Sequence, residues 1–180
     1  QATPNPASIV KIELGTNIAN NSPVGTDWGN IGNLAYPHDL YVFDDNGHWY
    51  GLTVNTDNNT ITRFDFTTSF SNVPTAVNIG NVGNLNAPTG ICAIKDNGNW
   101  YAFITNATSS TLTRLDFGNS LLSTPTGINL GNINGRFNAC WDLQVMKYCG
   151  QNIGFVINAS SNELIKLDFN SSILNTPTAP

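Results

Sequence analysis

The sequence predicts an all-β protein assembled from one repeated unit, and three observations predict it. Marker pairs recur at a single spacing. Asp-Phe returns at Asp65-Phe66, Asp116-Phe117 and Asp168-Phe169, in steps of 51 and 52 residues, and Trp-Tyr returns at Trp49-Tyr50 and Trp100-Tyr101, 51 apart. Pro-Thr (Pro74, Pro125, Pro177) and Gly-Asn (Gly29, Gly80, Gly131) keep the same period. Between the markers lie short apolar or alternating runs with no helical period. Residues that tolerate positive φ separate those runs, as in Asp96-Asn97-Gly98, the best short signal for a hairpin.

A period near 50 that carries only strand patterns is that of a four-stranded, antiparallel β-propeller blade. In the middle copy, residues 90–95 are short and apolar, as an inner strand buried on both sides would be. Asp96-Asn97-Gly98 turns the chain, and residues 99–105 (NWYAFIT) form an aromatic and β-branched second strand. Residues 106–110 are a polar turn. Residues 111–117 (TLTRLDF) alternate and predict a half-exposed third strand. Residues 125–130 are the outermost strand, where a leading Pro is tolerated.

Applied to the whole chain, this parse gives about three repeats in one repeat domain, 1–180. Residues 8–29 supply the third and fourth strands of a preceding blade. Complete blades follow at 39–80 and 90–131, and an incomplete blade occupies 141–180. Propellers close with about four to eight blades, so the expectation is a partial propeller or part of a larger ring. Its partners would be further blades of the same polypeptide, or further copies in a homo-oligomer.

Only 11% of the 180 residues are charged, against roughly 25% in ordinary soluble domains. Asn, Thr and Ser must carry the solubility, which suits an extracellular or cell-surface setting. A net charge of −5 speaks against nucleic acid and against anionic membranes. No apolar run approaches the ~20 residues of a membrane-spanning helix. Gln1-Ala2-Thr3-Pro4 lacks the basic and then apolar start of a signal peptide, so the reading is a removed leader or an excised piece.

Cys92, Cys140 and Cys149 match no zinc spacing and are read as buried free thiols. Cys140 and Cys149 flank one predicted strand, too far apart for the about 7 Å that a disulfide allows. Asp44-Asp45-Asn46-Gly47 lacks the alternating ligands of a calcium loop and reads as a hairpin. No metal or cofactor is expected.

Lys11/Glu13, Arg63/Asp65, Arg114/Asp116 and Lys166/Asp168 are spaced i, i+2, so each pair shares a face of the third strand. They predict an exposed or inter-blade ion-pair ladder. Asn55, Asn106 and Asn158 end the second strands and are expected to bond turn backbone. Differences between copies are more informative about function, because the fold does not demand them. The entries to the inner strands read His38-Asp39-Leu40, Thr89-Gly90-Ile91 and Cys140-Trp141-Asp142. These positions rim the central channel of a propeller. His38, Asp39, Thr89, Cys140, Trp141 and Asp142 are therefore the candidate ligand-binding residues, with Trp141 as a stacking surface for a sugar. No catalytic constellation is present, so the expectation is a non-enzymatic binding module that meets surface glycans or proteins. The alternatives are a glycan-active enzyme, for which Asp39 and Asp142 are the carboxylates at hand, and a purely structural spacer.

The blade resembles NHL-type propeller repeats in Pro88-Thr89-Gly90-Ile91 and Asp96-Asn97-Gly98. It is more similar to the repeats of about 50 residues in large secreted Bacteroidetes surface proteins associated with gliding motility. Leu112-Thr113-Arg114-Leu115-Asp116-Phe117-Gly118-Asn119-Ser120-Leu121-Leu122-Ser123-Thr124-Pro125-Thr126 carries that likeness. The resemblance implies export by the type IX system and a role in adhesion, and it brings no catalytic residues. The third copy departs most, since Met146-Lys147-Tyr148-Cys149-Gly150-Gln151 replaces the Asp-Asn-Gly hairpin.

Overall fold

The computed structural model describes residues 7–180; the opening Gln1-Ala2-Thr3-Pro4 lies outside the described residues. The strands form four antiparallel sheets. The first pairs β1 (Val10–Glu13) with β2 (Val24–Asp27). The second runs β3 (Pro37–Asp45), β4 (His48–Asn55), β5 (Thr60–Thr67) and β6 (Thr75–Gly80), in chain order. The third repeats it with β7 (Pro88–Asp96), β8 (Asn99–Asn106), β9 (Thr111–Gly118) and β10 (Thr126–Gly131). The fourth has β11 (Cys140–Tyr148), β12 (Gln151–Asn158) and β13 (Glu163–Asn170). Thr178 makes an isolated bridge to Asp168, the pairing that Thr75 makes with Asp65 and Thr126 with Asp116.

Each inner hairpin turns on two residues of positive φ: Asn46-Gly47 (55° and 84°), Asn97-Gly98 (49° and 81°) and Cys149-Gly150 (48° and 78°). That twist matches the strands it joins. The divergent 146–151 segment therefore keeps the turn of the other copies with Cys in the place of Asn, and Tyr148 pairs with Gln151 across it.

The sheets stack face to face, and alternation decides which side chains meet. One core cluster joins Leu52, Val54 and Ile61 of the second sheet to Ile91, Ile104 and Leu115 of the third. Another joins Cys92, Phe103 and Leu112 of the third to Leu143, Val156 and Leu167 of the fourth. There the Phe103 and Phe169 rings meet edge to face at 5.0 Å. Between the first and second sheets Ile9 and Trp28 pack on Phe64 and Phe66. The third strand is not half exposed in the middle copy. Leu112, Thr113, Arg114 and Leu115 are all buried, because sheets cover both faces of β9. The third strand β13, with no sheet beyond it among the described residues, keeps the alternation, burying Ile165, Leu167 and Phe169 and exposing Leu164 and Lys166.

The i, i+2 charges act differently from the ladder expected. Of the four pairs, only Lys11–Glu13 forms an ion pair among the described residues, at 3.0 Å. Arg63 and Arg114 instead donate across to the next sheet. Arg63 reaches the carbonyls of Leu121 and Ser123, and Arg114 those of Ile173 (3.2 Å) and Leu174 (2.6 Å). Ion pairs between sheets come from the hairpins, Lys95–Asp45 at 2.6 Å and Lys147–Asp96 at 2.9 Å. Asn55, Asn106 and Asn158 bond backbone of the segment returning to the inner strand rather than that of the turn, accepting from the N–H of Ala35, Asn86 and Asn138.

Cys92 and Cys140 are buried free thiols, which burial pushes up to about 12 and about 11. Cys149 is free but exposed at its hairpin tip, against the expectation of burial, because a two-residue turn leaves nothing to cover it.

Candidate functional site

The site forms where three inner strands begin, and a repeated irregularity builds it. In β3–β4 the pairing steps from Pro37↔Asn55 to Asp39↔Val54 and skips His38. In β7–β8 it steps from Pro88↔Asn106 to Gly90↔Thr105 and skips Thr89. In β11–β12 it steps from Cys140↔Asn158 to Asp142↔Ile157 and skips Trp141. Each skipped residue is the extra member of a β-bulge, a device that re-aims a side chain at a sheet's rim. The structural equivalents are therefore His38, Thr89 and Trp141, followed by Asp39, Gly90 and Asp142. The alignment predicted from sequence was one residue out in the third copy. Cys140 corresponds to Pro37 and Pro88.

The bulge residues link one sheet to the next. His38 Nδ1 lies 2.8 Å from the Thr89 carbonyl, and the Thr89 hydroxyl donates to the Cys140 carbonyl at 2.7 Å. Asp39 Oδ2 accepts from the Ile91 N–H at 2.8 Å. Gly90 serves this close approach: a Cβ there would sit 2.7 Å from the Asp142 Cα. Trp141 is 52% exposed and presents itself to His38 in an edge arrangement with centroids 5.6 Å apart.

His38, Asp39, Thr89, Trp141 and Asp142 line one open recess of about 310 Å³ together with Ile157. Five of the six predicted residues are brought together. Cys140 is the correction: its side chain is buried in the core cluster, and only its carbonyl faces this network. A second recess of about 240 Å³ shares Asp39, Asp142 and Ile157 and runs on to Tyr41, Gln144 and Phe155. The two carboxylates thus stand between a rim with an indole and a second trough walled by Tyr41, Leu143 and Phe155. Burial pushes the Asp39 carboxyl above the ordinary carboxylate range. The Ile91 N–H pulls it back, and the negative charge of Asp142 adds to the rise. Among the described residues neither carboxylate has an ion-pair partner, and no group of three or more metal-binding side chains forms.

Sequence reasoning missed Tyr36, which is 63% exposed with its ring 6.4 Å from His38. A signal was present, because its equivalents Ala87 and Ala139 share its positive φ and only the first copy carries an aromatic ring. Ile157 was missed because nothing in its alternating strand marks it.

No protein family and no curated protein matches the chain. Among solved structures, a crystal structure of a thermostable family-43 glycoside hydrolase is similar in fold. Its TM-score is 0.58 and its identity 11%, over 78% of this chain and 50% of that one. The chain spans half the length of that structure. At this identity the likeness shows the fold alone, a β-propeller-like, all-β stack of antiparallel sheets.

Proposed function

We propose that the chain is part of a β-propeller whose rim recess binds a glycan without turning it over, within a large secreted surface protein. In this reading the blades are those of the sequence frame: the end of one at 8–29, two at 39–80 and 90–131, and an incomplete one at 141–180. One observation carries the ligand reading. The bulge position whose side chain differs in every copy, His38, Thr89 and Trp141, lines one recess with Asp39 and Asp142 beside it and an exposed indole, while the residues common to all three copies make core and turns. Exposed indoles next to carboxylates and hydrogen-bonding groups suit the apolar face and hydroxyls of a sugar ring. The fold likeness to a glycoside hydrolase supports a polar carbohydrate class of ligand. Low charge and the resemblance to gliding-associated repeats support the surface of a bacterial cell and a role in adhesion.

The test is a glycan array followed by titration of the strongest hit. Trp141→Ala is expected to weaken binding at least about tenfold, because a central aromatic carries much of such an interface. A folded Trp141→Ala variant that binds as well as the parent chain refutes the rim as the site. The second reading, a glycan-active enzyme, is favoured by Asp39 and Asp142 lining the same recess. Turnover of an array hit that disappears in Asp142→Asn would establish it.

A further inference from the structure

We infer that the outward face of the sheet β11–β12–β13 is a docking surface for one more four-stranded sheet of this same repeat. The inference deepens the propeller reading and rests on it; it does not depend on the glycan.

Ile61 and Leu112 are equivalent residues of the third strand, each 0% exposed because the following sheet covers it. Leu164 stands at the same position, keeps its apolar character, and is 67% exposed. Val54 and Thr105 are likewise at 0%, whereas their equivalent Ile157 is at 48%. The third copy thus repeats the apolar pattern of an interface with nothing across from it among the described residues. An exposed patch of this kind marks an interaction surface.

The polar groups name the occupant. Three kinds of cross-sheet link occur in this chain, the first two of them twice. A third-strand cation donates to carbonyls of the next sheet's outer loop, from Arg63 and again from Arg114. A turn residue with positive φ accepts from the next sheet's backbone: Asn59 Oδ1 from the Ala87 N–H at 2.6 Å, then Ser110 Oγ from the Ala139 N–H at 3.1 Å. An aspartate at the rim accepts from an inner-strand N–H, as Asp39 does from Ile91. The fourth sheet carries all three in place. Lys166 follows Arg63 and Arg114, Asn162 (φ 54°) follows Asn59 (57°) and Ser110 (52°), and Asp142 follows Asp39. Among the described residues none of them bonds to another sheet.

An occupant must therefore present outer-loop carbonyls, a free N–H before its inner strand, and inner-strand backbone at one spacing. Only a sheet of this repeat does so. A second copy docking by the same face would present Asn162, Leu164 and Lys166 again and offer none of these groups. A second copy docking by β1–β2 has no inner strands to cover β11 and β12.

The experiment extends the full chain after Pro180 with a second copy of residues 78–131, in the register set by Thr126 and Thr178. Acetylation of Lys166 is expected to slow at least about tenfold relative to the 180-residue chain, with Lys11 unchanged as internal control. Asn162→Ala and Lys166→Ala should lower the unfolding temperature of the extended chain more than that of the parent. Equal acetylation rates, equal effects in both chains, or an added repeat that stays unfolded on a folded parent would each overturn the inference. So would a parent chain that sediments as a dimer and becomes monomeric on Leu164→Glu, which would identify a second copy as the occupant.

Discussion

Asp39 is the residue at which stability and site meet. Its carboxyl is raised chiefly by burial and further by Asp142, against the pull of the Ile91 N–H. A carboxyl raised in the folded state adds stability that is present below its unfolded pKa and is lost as pH rises through the folded pKa. At neutral pH the ionised group is therefore a cost that the fold carries. Asp39→Asn removes the charge and keeps an acceptor for Ile91. The variant is expected to unfold at higher temperature than the parent near pH 7, with the gain gone below about pH 4. Thermal unfolding of both proteins at the two pH values checks this, and a gain of equal size at both would refute it. A group so held is a candidate for function, because stability alone would not select it.

Among the elements, the hairpin and the bulge explain most of what the repeat does. The turn requires two residues of positive φ, and Asn-Gly supplies them in two copies at little steric cost. Cys149 adopts the same conformation, at φ 48°, without the local bonding that helps Asn. Cys149→Asn is expected to stabilise the chain by up to about 1 kcal/mol, read as a shift of the urea midpoint without change of slope. The bulge at His38, Thr89 and Trp141 shows the opposite economy. Its geometry is kept in every copy while its side chain changes, so it is the element through which the rim can vary without disturbing the ladder.

For the whole molecule, cohesion depends on links between sheets as much as on the core. Arg114 is 8% exposed and donates to two carbonyls of the following sheet's loop, whereas Lys11–Glu13 lies within one exposed strand. Arg114→Met would leave Ile173 and Leu174 carbonyls unpaired at the sheet boundary, and is expected to destabilise by about 1–3 kcal/mol. Glu13→Gln should cost under about 1 kcal/mol, as exposed pairs do. Equilibrium urea unfolding of both variants decides it; equal losses would mean that the arginine links are no more than surface contacts. Apart from the rim, where His38 meets Trp141, each sheet packs chiefly against its neighbours, so losing one such link should weaken a particular boundary, as in other repeat proteins.

By itself the sequence determined the period, the order of strands in the repeat, the inner hairpins and the set of rim residues that differ between copies. All of these follow from local properties: alternation, apolar runs, and residues that accept positive φ. Tertiary structure alone decided the rest. The one-residue offset of Cys140 depends on where a bulge interrupts pairing between two strands, which apolar patterning does not record. The burial of both faces of β9, the reach of Arg114 to Ile173 and Leu174, and the meeting of His38 with Trp141 are contacts between sheets. They join residues 51 to more than 100 positions apart, and stacking of one sheet on another brings them together. Periodicity showed that such faces exist, and only the stack showed which are covered and which, like Leu164, are bare.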